Sequence, residues 1–211
     1  TQYGTFNGGN GPCGFGSIGG EAWTPAGAAV ESGETGMYTV AIGPSANDFV
    51  LKCGMCAEMT VKGDFGSGST NCPTSIPWNK PLLIFAANLC PECDSFKVDL
   101  AIAPTGQCAI DWKAVPCPTS GNIQLSVKEN NIYDQQILLR NHKFPVQSME
   151  VNLPSGWKTM TRDNAQNRFR DGSWFGLLPL EARITSIFGE VQPFTIVQQM
   201  YDRAPAFIDI G

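Results

Sequence analysis

The sequence has one histidine, no Asn-x-Ser/Thr sequon and no cysteine in its last 94 residues. Each absence excludes something. A Ser-His-Asp triad would have to use His142. That residue sits in Arg140-Asn-His-Lys-Phe144, away from every cysteine, and reads as a structural turn histidine. Without a sequon, N-glycosylation is not expected. No apolar run approaches the roughly 20 residues a membrane helix needs, so no membrane partner is expected. Basic residues are few, 14 against 19 acidic, for a net charge of −5. A polyanion-binding protein is usually basic, which argues against nucleic acid. The Gly-rich opening from Gly4 to Gly16 lacks a Gly-Lys-Ser/Thr ending and is no phosphate loop.

What is present points to a folded, turn-rich chain. Its 211 residues suit one large domain or two small ones, and 42% hydrophobic content can fill a core. The 23 glycines and 15 prolines imply many turns. The eight cysteines are Cys13, Cys53, Cys56, Cys72, Cys90, Cys93, Cys108 and Cys117. An even count packed into one segment reads as a disulfide framework made in an oxidising compartment. Four bridges allow 105 pairings, and the sequence does not choose among them. The competing reading is a zinc site on Cys53-x-x-Cys56 and Cys90-x-x-Cys93. The pairs are 33 residues apart, longer than the roughly 15–20 of a zinc ribbon, so no metal and no cofactor is expected. A chain opening at Thr1 reads as a processed, secreted protein.

The cysteine boundary is also a charge boundary. Five Lys/Arg face ten Asp/Glu up to Cys117, and nine face nine after it. The stretch from Val115 to Gly121 is rich in Pro, Ser and Gly and reads as a linker. Two domains are expected, at 1–115 and 119–211. Strands dominate both. Ala57, Met59 and Val61 alternate with polar residues, as do Ile110, Trp112 and Ala114, and Ile123, Leu125 and Val127. Segments 81–87, 147–153 and 182–188 continue the pattern. Short helices are expected at Pro25–Val30 and Leu100–Pro104. Trp157 and Met160 read as core residues, whereas Tyr133 reads as exposed.

Chemistry centres on Asp99. In 96–102 the apolar residues 96, 98, 100 and 102 share one strand face, and Asp99 takes the other. A carboxyl in a groove there could serve as a general acid. Thr5 and Asn7 offer a hydroxyl and an amide to sugar hydroxyls. Aromatic rings such as Trp174 and Phe175 offer flat surfaces on which sugars stack.

Together these residues resemble the expansins, and in particular the microbial ones. Gly4-Thr5-Phe6, Gly8-Gly9 and Cys13-Gly-Phe-Gly16 resemble that family's opening. Asn88-Leu-Cys-Pro-Glu92 with Asp99-Leu100, and Trp112-Lys-Ala-Val-Pro-Cys117, resemble later motifs of its first domain. Arg140-Asn-His-Lys-Phe-Pro-Val146 and Trp157-Lys-Thr-Met-Thr-Arg162 with Asn164 and Gln166-Asn167 resemble its second. The resemblance implies an all-β chain: a six-stranded double-psi β-barrel followed by an immunoglobulin-like β-sandwich. It implies a secreted monomer at the cell wall that loosens contacts between polysaccharide chains (cellulose, xylan or another β-glucan) without hydrolysis. Asp99 takes the place of the family's acid, Thr5 its groove threonine, and Asn88 its first groove aspartate. The three aromatics of the bacterial sandwich fall on Tyr133, Asp134 and Ala165, so one ring is kept. Two alternatives stand beside this reading. One is a weak endoglucanase or lytic transglycosylase, with Glu92 or Asp94 as second carboxylate. The other is a polysaccharide-binding protein without loosening activity.

Overall fold

The computed structural model describes residues 12–18, 21–28, 36–43, 52–64, 72, 76, 79–94, 97–101, 106–131, 134–163, 166–171, 178–197 and 208–210. Among these described residues seventeen strands are defined. The first eight are β1 Ser17–Ile18, β2 Glu21–Thr24, β3 Gly27–Ala28, β4 Met37–Ile42, β5 Cys56–Asp64, β6 Pro81–Leu89, β7 Val98–Leu100 and β8 Cys108–Val115. The remainder are β9 Ile123–Asn131, β10 Asp134–Arg140, β11 Val146–Leu153, β12 Gly156–Thr159, β13 Thr161–Asp163, β14 Arg168–Arg170, β15 Leu180–Ser186, β16 Val191–Ile196 and β17 Ile208–Ile210.

The first half is built on a five-stranded sheet in the order β7-β4-β6-β5-β8. Strand β4 is Met-Tyr-Thr-Val-Ala-Ile, and all six residues are buried, as an interior strand covered on both faces requires. It pairs parallel with β6 although β5 lies between them in sequence, so the chain crosses over. Alternation in β5 puts Ala57, Met59 and Val61 into the core. Phe15, Trp23 and Phe85 pack at ring separations of 5.1 to 6.1 Å beside them.

The second half is a sandwich of two antiparallel sheets, β13-β14-β10-β9-β17 and β12-β11-β15-β16. Leu125, Ile137, Met149, Phe169 and Ile196 fill the space between them. Met160 is buried there as expected, but Trp157 is 43% exposed, which corrects its reading as core. It lies on β12, an edge strand whose four residues all face solvent.

The helix expected at Pro25–Val30 is also corrected. Pro25 and Ala26 form the turn of a hairpin between β2 and β3. The Thr24 hydroxyl donates to the Gly27 carbonyl and accepts from the Ala26 amide. Gly27 has φ +112°, a conformation that a side chain would oppose. Leu100 ends β7 as a strand residue, and 102–105 lie outside the described residues.

All eight cysteines are bridged, as 13–53, 56–117, 72–108 and 90–93. Neither half of the zinc reading survives as four available thiolates. Cys56–Cys117 ties the start of β5 to the segment between β8 and β9.

The halves meet through the two motifs of the second. Arg140 stacks over Trp23 at 4.6 Å, and its Nη1 donates to the Phe15 carbonyl at 2.6 Å. Asn141 holds φ +63° and donates to the Ser120 and Asn122 carbonyls. His142 is buried against Phe15 and Gly54. Burial lowers its pKa to about 4, with Arg162 pushing the same way, so the ring is neutral near pH 7. Asn167 donates from its backbone to Pro12 and from its side chain to Cys13, and accepts from Arg162. Burial lowers the Arg162 guanidinium to about 10.

Candidate functional site

The centre of the site is Ala41. In the sheet it pairs with Asn88 of β6 on one side and Asp99 of β7 on the other. Residues directly opposed across strands share a face, so the amide and the carboxyl flank one methyl group. Two strand spacings put their backbones about 10 Å apart. Asn88 owes its place to a bulge. The register with β4 shifts between Ala86 and Asn88, leaving Ala87 as the extra residue. Without the bulge Ala87 would oppose Ala41 and Asn88 would turn to the other face. Asp99 is 1% exposed and Asn88 5%. Val98 and Leu100 pack on the main core, as the alternation in β7 requires. Asp99 is therefore a buried polar residue.

The connection from β6 to β7 closes one side. The Cys90 amide donates to the Ile42 carbonyl, and Cys93 donates back to Cys90. Ala41, Cys90 and Cys93 form a small apolar cluster apart from the main core. Asp94 accepts from the Lys97 amide and pairs with its ammonium at 3.1 Å, so it serves the turn. Glu92 is exposed at the loop's tip. One of its oxygens, an Asp99 oxygen and the Cys90 sulfur lie within 4.8 Å of one another. The sulfur belongs to the 90–93 disulfide, which leaves two carboxylates for any cation. Gly43 makes this approach possible: a Cβ there would lie 2.1 Å from the Asp94 carbonyl oxygen.

The structure thus brings Glu92 to Asp99 and sets Asn88 across Ala41 from Asp99. Thr5, Asn7, Tyr133 and Trp174 lie outside the described residues, as does Ala165, whereas Asp134 opens β10. Sequence reasoning missed Ala41 and the bulge at Ala87. Neither carries a local signal, because both sit in apolar runs that read as plain strand.

No family model matches the sequence. Over 92 residues, 43% of the chain, it is 34% identical to Expansin-YoaJ of Bacillus subtilis. That match spans 39% of the relative's length. A crystal structure of an expansin from Clavibacter michiganensis superposes with a TM-score of 0.68 at 16% identity, over 99% of this chain and 92% of that one. A variant of the Clavibacter protein in complex with cellohexaose matches equally well. The chain is thus similar to microbial expansins in sequence over one stretch and in fold over nearly its whole length. Its fold is all-β, a double-psi β-barrel followed by a β-sandwich.

Proposed function

We propose that this chain is an expansin-type protein that binds β-glucan or cellulose-type polysaccharide and loosens contacts between its chains without cutting them. The observation that carries this reading is the pairing across Ala41. One face of the sheet presents an acid, Asp99, and an amide, Asn88, in place of two acids. An amide neither accepts a proton as a carboxylate does nor gives one up, so a double-displacement or water-activating pair is not formed between these two. What the pair does offer is hydrogen bonding: donors and acceptors from Asn88 and a carboxyl from Asp99 for hydroxyls of a glucan chain.

The physics of loosening is exchange. A glucan chain in a wall is held by many hydrogen bonds, each worth about 0.5–1.5 kcal/mol net. A groove that supplies equivalent partners lowers the barrier to slippage without breaking a covalent bond. Asp99 engages a hydroxyl or glycosidic oxygen and Asn88 and Glu92 add contacts, with Thr5 and Asn7 as further binding residues on the strength of the expansin resemblance. Tyr133 and Trp174 are proposed as further binding residues, through stacking of their rings on sugars. Residues 1–115 and 119–211 form the two functional units, no cofactor takes part, and the protein acts as a secreted monomer. The fully bridged cysteines support an oxidising compartment. The cellohexaose complex of the Clavibacter protein supports the ligand class.

The test compares wild type, Asp99→Asn and Asp99→Ala on heat-inactivated cell-wall strips under load and on insoluble cellulose and xylan. Creep by wild type, its loss in both variants, and no reducing ends are expected. Release of reducing ends that disappears in Asp99→Asn and in Glu92→Gln would make the protein a glycosidase working through the neighbouring carboxylates. Pull-down without creep would leave a binding protein.

A further inference from the structure

The outer face of the sheet β12-β11-β15-β16 carries chemistry that core packing does not use. Alternation sends Met149, Val151, Ala182 and Ile184 inward. It sends Ser148, Glu150 and Asn152 of β11, and Glu181, Arg183 and Thr185 of β15, outward. Trp157 of the edge strand pairs with Asn152 and continues that face. The Asn152 amide donates to the Glu181 carboxylate at 2.8 Å. Arg183 donates to Glu150 at 2.7 Å and stacks its guanidinium 4.2 Å from the Trp157 ring centroid. The hydrogen bond lowers the Glu150 pKa and raises that of Arg183, keeping both charged.

Trp157 belongs to no buried cluster among the described residues, yet its ring is fixed by Arg183. An indole left 43% exposed and held in place is poised to contact something outside the molecule. The neighbours define what. Two carboxylates against one guanidinium give this patch a net negative charge, which disfavours a polyanion. Ionic and amide groups around one ring disfavour an apolar partner or a lipid surface. A neutral hydroxyl-rich chain satisfies both conditions. Its hydroxyls donate to Glu181 and Glu150, accept from Asn152 and Arg183, and its ring faces stack on indole.

We propose that Trp157, with Asn152, Glu181 and Arg183, is a binding surface for a neutral polysaccharide chain, separate from the face of the first sheet that carries Asp99 and Asn88. It rests on the polysaccharide reading above but uses different residues. It also lies on a different sheet from Asp134, the sandwich position flagged by sequence, which opens β10.

The test is depletion binding to insoluble cellulose and xylan, with polygalacturonate as the anionic control. Wild type, Trp157→Ala, Trp157→Phe and Glu181→Ala are compared, with thermal melting as the folding check. Trp157→Ala is expected to weaken binding to the neutral polymers about tenfold, the scale of one aromatic stack. Trp157→Phe keeps most of the affinity, and Glu181→Ala loses several-fold. Wild type that binds, with Trp157→Ala and Glu181→Ala binding equally well, overturns this surface and leaves the proposed function standing. Wild type that binds no neutral polymer overturns both. A loss confined to polygalacturonate overturns the neutral-chain assignment.

Discussion

Gly54 and His142 are in contact across the two halves of the chain: a Cβ on Gly54 would lie 2.3 Å from His142 Cε1. Gly54 also sits at φ +79°, where a side chain is strained regardless of space. Phe15, which packs edge-on to the imidazole, would also lie 3.3 Å from that Cβ. Gly54→Ala is expected to cost about 2–3 kcal/mol. Denaturant melts read it directly.

The same burial makes stability depend on pH. His142 binds a proton near pH 4 when folded and near 6.5 when unfolded. Between those values the unfolded chain holds more protons, so stability falls as pH falls through that window. The loss at pH 4 is on the order of 3 kcal/mol. His142→Gln should flatten the pH dependence of the melting temperature between pH 7 and 4 relative to wild type. Parallel curves would contradict it.

Asn88→Asp restores a carboxyl beside Ala41 but buries it at a 5% exposed position on the face of Asp99. Burying a charge without a partner is costly, and protonation relieves that cost. The variant should lose about 1–3 kcal/mol at pH 7 and much less at pH 4. Melts at both pH values decide the matter.

The disulfides should differ in worth. Cys56–Cys117 spans 61 residues and Cys90–Cys93 spans 3. Loop-closure entropy assigns about 4 kcal/mol to the first and under about 2 to the second. Replacing Cys90 and Cys93 by Ala should lower the melting temperature by only a few degrees while loosening the tip that holds Glu92. Replacing Cys56 and Cys117 should lower it by many degrees.

Gly43→Ala tests the loop from the other side. Its new Cβ would meet the Asp94 and Cys93 carbonyls. The tip must move outward, taking Glu92 away from Asp99. Weaker polysaccharide binding together with a stability loss of about 1–3 kcal/mol is the expected outcome.

Periodicity made most of the strands legible. Apolar–polar alternation at 57–61, 110–114 and 123–127 needs no tertiary information to be read as half-buried strand. Alternation set Asp99 on the face opposite Val98 and Leu100 but did not decide its burial, which comes from the strands and turn packed around it. The helix expected at 25–30 failed because a hydroxyl and one glycine close a turn there, and spacing of alanines and valine mimics a helical face. The cysteine pairing depends on which strands adjoin, which no local pattern encodes. The bulge that turns Asn88 toward Ala41 is a matter of register between strands far apart in sequence. Trp157 was misjudged because position on an edge strand is a property of the sheet. The same holds for the Arg140–Asn–His and Arg162–Asn167 motifs. Their residues looked like sandwich features, and the structure uses them to grip the first half.

The Cys56–Cys117 bridge also sets how the molecule carries load. Tension on the sandwich would otherwise run along the peptide through 116–122 into the edge strand β8. The cross-link offers a second covalent path, into β5, which is hydrogen-bonded on both sides in the interior of the sheet. A pull along one half is thus shared by two strands in place of one, and peeling β8 from the sheet's edge is no longer the easiest way to fail.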